Sequence, residues 1–188
     1  MRQVLVGTLG YHFLRDYSLG PKLLPELRAL DWPPGVEVDE LNWGPIAIVY
    51  QFETLAVPYE RVVILTATAR GRPAGTLTLF RWQGTLPSQE EIQDRVNEAV
   101  TGVISLDNLL IIGEYFKIWP QEVIIVDVEP GPEEAGDTFT PPVEALLPTI
   151  KRMVQRAALA DLKALPPLQL LGCGRSPEGC GRSPDRAT

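Results

Sequence analysis

Apolar positions along the chain fall into short continuous runs that alternate with stretches of helical spacing. Residues 3–9, around Val4-Leu5-Val6, read as a buried strand. Leu23, Leu24, Leu27 and Leu30 recur at three and four, which predicts a helix over about 22–30. Trp32-Pro33-Pro34-Gly35 breaks it. Val36 to Leu41 alternates apolar and polar, as a half-covered strand does. Ile46 to Leu55 has the length of a short helix, although its β-branched content works against one. Val62 to Ala67 is a run of central-strand type. A turn at Arg70–Gly75 leads into an alternating strand, Thr76–Trp82. Ser88 with Glu91 has the form of a capping box opening a loose helix that ends at Val100. Leu106, Leu109, Leu110 and Gly113 predict a helix over about 104–117. Glu122–Val128 is a further buried strand, followed by an acidic loop rich in Pro and Gly, Glu129–Pro142. From Val143 onward, Leu146, Leu147, Ile150, Met153, Val154 and Ala157 share one helical face, and Pro148 either kinks this helix or begins it anew.

Strands and helices therefore alternate. The expected fold is a three-layer α/β/α sandwich with a mostly parallel sheet, of the phosphorylase/hydrolase-like kind, over residues 1–163. Val4–Val6, Val62–Leu65 and Val123–Val128 are apolar on both faces, so they should be neighbouring central strands. Beyond Pro166-Pro167 the composition changes. Gly172-Cys-Gly-Arg-Ser-Pro-Glu178 is followed by Gly179-Cys-Gly-Arg-Ser-Pro-Asp185, the same heptad with one change. Residues 164–188 read as a tail that builds no core.

The bulk composition narrows the function. The 188 residues are 45% hydrophobic and 22% charged, as in a globular domain, and no apolar run approaches a membrane span. No signal peptide is evident at the N-terminus, so a cytoplasmic location is expected. Net charge is −7 with no basic cluster, which argues against nucleic acid as a partner. The single histidine is His12, and the two cysteines, Cys173 and Cys180, both lie in the tail. A His/Cys zinc site or a Cys nucleophile in the folded body is thereby excluded. Tail thiols in a cytoplasmic protein are expected to be free, with a disulfide or a shared soft metal as alternatives.

The loop from Gly7 to Pro21 joins the first strand to the first helix, at the sheet edge where open α/β sheets place their sites. Asp16 in it is either a helix cap or a binding group. His12 could work with Asp16 or with Glu40. Asp39 and Glu40 close the second strand, with Asn42 and Trp43 just beyond. Trp43 and Tyr50 are the better candidates for lining a peptide groove, while Trp82 and Trp119 suit core packing. Glu129, Glu133, Glu134 and Asp137 form either a docking loop or a solvated one.

Taken in order, several segments resemble the nickel-iron hydrogenase maturation proteases. These are Gly10, Leu19-Gly20-Pro21, the Pro-Pro-Gly-Val-Glu-Val run into the second strand, and Arg61-Val-Val-Ile-Leu with its later Pro-Ala-Gly-Thr turn. Trp119-Pro120, Val128-Glu129-Pro130 and Thr140-Pro-Pro-Val-Glu-Ala-Leu-Leu-Pro148 complete the set. The resemblance covers about Val4 to Ala158. It implies a protein that engages the hydrogenase large subunit, whose C-terminal peptide such enzymes remove once the metal centre is assembled. Three residues of that family surround the nickel. Their positions fall here on Tyr17, Thr66 and Gly102, while the turn asparagine and the first turn glycine fall on Tyr11 and Thr8. An acid persists after the second strand as Asp39 or Glu40. Imidazole and carboxylate hold such ions, and a phenol or a threonine hydroxyl does not replace them. The resemblance thus implies a degenerate member that has lost the nickel site and binds no cofactor. Tyr17, Thr66 and residues 100–103 should meet at the strand edge without forming a metal site. Binding of a large subunit or related precursor without cleavage is the expected role, with His12, Asp16, Glu40, Asn42 and Trp43 as contact candidates. An active endopeptidase using Asp16, Glu40 and His12, and a repurposed protein-binding module, are the alternatives.

Overall fold

The computed structural model describes residues 3–103, 105–162 and 164–171. Five strands form one sheet in the order β2-β1-β3-β5-β4. They are β1 (Val4–Thr8), β2 (Val36–Glu40), β3 (Arg61–Ala67), β4 (Leu77–Arg81) and β5 (Glu122–Val128). All neighbours are parallel except β4, which runs antiparallel to β5 on one edge. The three runs apolar on both faces, β1, β3 and β5, are adjacent and buried, as their composition requires.

The period-two alternation divides these strands between two cores. Val4, Val6, Val63, Leu65, Ile124 and Val126 face α1 (Leu19–Arg28) and α6 (Leu147–Leu159). Leu5, Val62, Ile64, Val123 and Ile125 face the other layer, formed by α2 (Pro45–Glu53), α3 (Gln89–Val100) and α4 (Leu106–Tyr115). A short α5 (Pro141–Glu144) precedes α6 and sends Val143 into the first core.

Local chemistry sets the helix ends. α1 begins at Leu19, ahead of its expected start, because Pro21 falls in the first turn, where a missing N–H costs nothing. Gly20 lets this helix approach β1 closely: a Cβ there would stand 2.5 Å from the Leu9 carbonyl oxygen. α2 forms despite its β-branched residues, opening on Pro45 and burying Ile48 and Val49. Burial outweighs the few tenths of a kcal/mol of propensity involved, roughly. Ser88 caps α3, its Oγ accepting from the Glu91 N–H at 3.2 Å. α6 begins anew at Leu147 with Pro148 in its first turn.

Residues 164–171 lie against the body, past the boundary expected at 163. Leu168 is buried in the second core and Leu170 packs on it. The cysteine-bearing heptads lie outside the described residues.

Candidate functional site

The four parallel strands end along one edge, and the loops leaving them build two different neighbourhoods. On the β1–β2 side, Thr8 and Glu40 are register partners. The Asn42 side chain spans the two loops beyond them. Its Oδ1 accepts from the Gly10 N–H at 3.0 Å, and its Nδ2 donates to Glu40 Oε1 at 2.6 Å. His12 Nε2 stands 3.6 Å from the same Glu40 oxygen. Asp39 instead turns outward to pair with Arg28 at 2.7 Å. His12, Glu40 and Asn42 are thus one linked set, partly open to water.

Next to this set is a cavity of about 270 Å³, lined by Leu9, Leu41, Asn42, Trp43, Gly102 and Ser105 among others. Trp43 is 67% exposed at its side, and Ile46, Tyr50, Val100 and Val103 are exposed apolar residues on the adjoining elements. Ile46 and Tyr50 are one helical turn apart on α2, so they present one face. Trp82 and Trp119 belong to the core as expected, donating to Glu114 and to the Leu110 carbonyl.

The residues at the three family positions lie as follows. Tyr17 sits in a 3-10 turn, Arg15–Ser18, that packs against β3. Burial raises the phenol pKa, and the nearby Glu133, Glu129 and Asp16 carboxylates raise it further. An anionic phenolate ligand is therefore disfavoured. Thr66 is buried, in register with Asp127 of β5. Gly102 lines the cavity with φ at +85°, a backbone where any side chain is strained. Among the described residues, no group of three or more His, Cys, Asp or Glu is arranged to hold a metal. The donor set at these positions, a phenol, a hydroxyl and a glycine, does not fit nickel.

Asp16 differs from the expectation. It is neither a helix cap nor a group open to the cleft. It is fully buried, and its carboxylate accepts from the Gly131 N–H at 2.8 Å, the Thr140 N–H at 2.7 Å and the Thr140 hydroxyl at 2.6 Å. The set Asp16, Glu40 and His12 is consequently split, leaving a His12–Glu40 pair. The acidic loop has likewise committed several of its charges. Glu134 pairs with Arg15 at 2.6 Å and Asp137 with Lys22 at 3.1 Å.

On the β5–β4 side the edge is closed. Asp127, fully buried, pairs with Arg70 Nε at 2.7 Å and with Arg72 at 2.8 Å. Glu129 takes the Arg70 and Gly71 N–H groups and Arg72 Nε. Burial raises the Asp127 pKa against the pull of both arginines. At the start of α4, burial pushes the Asp107 carboxyl up to about 6, while the Leu171 N–H, Arg95 and Arg70 act the other way. This network escaped the sequence reading, although Asp127 in Val-Ile-Ile-Val-Asp-Val was a visible anomaly in an apolar run.

Neither a family profile nor a curated protein sequence matches the chain. Solved structures do. The hydrogenase maturating endopeptidase HybD from Escherichia coli superposes with a TM-score of 0.59 at 21% identity, over 84% of this chain and 91% of that one. The hydrogenase 2 maturation peptidase from a Thaumarchaeota archaeon gives 0.57 at 20% identity, over 85% of this chain and 100% of that one. HybD, a [NiFe] hydrogenase maturation protease from Thermococcus kodakarensis, gives 0.52 at 21%, over 84% and 99%. The chain therefore has the α/β fold of the hydrogenase maturation proteases. Among the described residues no helix is long and apolar enough to cross a membrane.

Proposed function

We propose that this protein is a degenerate member of the hydrogenase maturation protease family, acting in the cytoplasm. It binds a hydrogenase large subunit or related precursor without cleaving it. The observation that carries this reading is the character of the three family positions. A half-buried phenol with a raised pKa, a buried threonine and a left-handed glycine stand where the resemblance calls for ligands of a nickel ion. A surface that could receive the precursor supports the reading: a cavity at the sheet edge, exposed Trp43 and Tyr50 beside it, and the linked His12, Glu40 and Asn42. Exposed aromatics of this kind serve as interface anchors. The split of Asp16 from His12 and Glu40 weighs against the alternative of an endopeptidase using those three.

The test mixes the full-length protein with metal-loaded large-subunit precursor and follows both association and precursor mass. A stable complex with the precursor mass unchanged is expected. Loss of the C-terminal peptide at catalytic amounts of the protein would overturn the proposal, and so would no association at all.

A further inference from the structure

Residues 165–171, Leu-Pro-Pro-Leu-Gln-Leu-Leu, are docked as an extended peptide that sends Leu168 into the second core. The segment meets the outer edge of β4 at its last residue, Arg81. Its Pro166 carbonyl accepts from the Arg81 N–H at 2.9 Å, and the Leu168 N–H donates to the Arg81 carbonyl at 2.9 Å. Further along, Arg70 Nη1 donates to the Gln169 carbonyl at 2.8 Å and Arg95 Nη2 to the Leu171 carbonyl at 2.6 Å. The Leu171 N–H donates to Asp107 Oδ2. All these contacts read main-chain groups. Leu168 and Leu170, two residues apart, enter the second apolar layer and Leu165 packs on the first, while Gln169 is exposed. Backbone capture with alternate side chains in pockets is how proteins bind extended peptides at a sheet edge.

Two features show that this occupant is imperfectly held. Its lead-in residue Ala164 has φ at +58°, a left-handed conformation that costs a non-glycine residue about 1 kcal/mol. Around the clamp, Arg70 Nη2, Arg95 Nε, Asp107 Oδ1 and Asn108 Nδ2 are buried without a hydrogen-bond partner. Such orphaned groups are rare in native interiors and favour any state that satisfies them. Release of the segment gives them water. The two prolines set the segment in an extended form beforehand, which lowers the ordering cost of rebinding. We propose that residues 165–171 are a displaceable internal ligand, and that their groove between β4 and the start of α4 takes an extended partner segment with aliphatic side chains two residues apart. This inference is independent of what the Trp43 cavity binds.

The experiment uses the full chain, with Cys173 and Cys180 as the only thiols to label. A synthetic Leu-Pro-Pro-Leu-Gln-Leu-Leu peptide is titrated while the label reports tail mobility. Hydrogen exchange reads the Leu168 and Leu171 amides in the same samples. Saturable binding with at least tenfold faster exchange at both amides is expected, with the β1, β3 and β5 amides unchanged. A peptide with serine at the two inserted leucine positions should do neither. In the Leu168→Ser/Leu170→Ser protein the internal competitor is weakened, so the free peptide should bind about tenfold tighter. Exchange of the two amides only at the rate of global unfolding, with millimolar wild-type peptide present, would overturn the proposal. So would exchange of the segment between two copies, seen as a concentration-dependent doubling of mass without peptide uptake.

Discussion

The two halves of the strand edge use similar residues and end in opposite states. On the β1–β2 side, Glu40 is linked through Asn42 to Gly10 and stands near an exposed His12. On the β5–β4 side, Asp127 is fully buried between Arg70 and Arg72 and lies near a buried Asp107. Both halves carry carboxylates on loops or strand ends. The difference is coverage: the C-terminal segment and the Thr68–Thr76 loop close over one half, and nothing among the described residues closes over the other. Charge that water can reach remains available to a partner, while charge removed from water must be paired within the fold. The family positions straddle this divide, with Gly102 on the open side and Thr66 beside Asp127.

The sharpest way to break the comparison is to delete one carboxylate from each half. Asp127→Ala leaves Arg70 without its buried counter-charge and Arg72 with Glu129 alone, and should cost about 3–5 kcal/mol of unfolding free energy. Glu40→Ala should cost less than about 1 kcal/mol, since its partners are exposed or reach water. Urea unfolding measures both, and equal losses would erase the distinction between the halves.

A smaller effect is expected in the pH dependence. The Asp107 carboxyl is held up to about 6 against an ordinary 3.8, so the folded state binds a proton there that the unfolded state has released. Stability contributed by the protonated form is complete below the ordinary value and is lost as pH rises to about 6. The loss is up to about 3 kcal/mol for a shift of this size. Asp107→Asn should flatten that part of the curve. Its unfolding free energy relative to the wild type should therefore rise between pH 4 and pH 6.5 and stay constant above. A difference that does not change with pH would show that Asp107 titrates normally.

The smallest stability effect belongs to the open half. Trp43→Ala removes a side chain that is mostly in water, so unfolding should shift by less than about 0.5 kcal/mol. Precursor binding, measured by titration calorimetry, should weaken by tenfold or more if Trp43 is an anchor, as rigid aromatics at interface centres often are. Unchanged affinity would move the docking surface away from this cavity.

The layered core could be read from the sequence because its signal is local. Val62–Leu65 and Val123–Val126 are apolar on both faces, and only a doubly covered sheet accommodates that. α2 resisted reading because β-branched propensity pointed one way and burial of Ile48 and Val49 decided the other. The linked set of His12, Glu40 and Asn42, with Trp43 beside it, was foreseeable from loops leaving two adjacent strands. Asp16 was not, because its partners Gly131 and Thr140 lie 115 and 124 positions later in the chain. The clamp on residues 165–171 was hidden for a similar reason. Pro166-Pro167 end helical structure, which reads as a boundary, but the same fixed φ angles suit an extended segment bridged to β4 at Arg81.

The Asp16 contacts also constrain the order in which the molecule can be assembled. A carboxylate at position 16 whose three donors come from residues 131 and 140 cannot be satisfied until β5 has joined β3 and its following loop has folded back. Until then the first loop carries a solvated charge and has no reason to adopt its native shape. Closing so long a stretch of chain is entropically slow compared with forming the local helices. A nascent chain that has emerged only through β3 therefore holds strands ready to pair and an unfinished first loop. The native shape of the first loop thus arrives late, with the residues near 140.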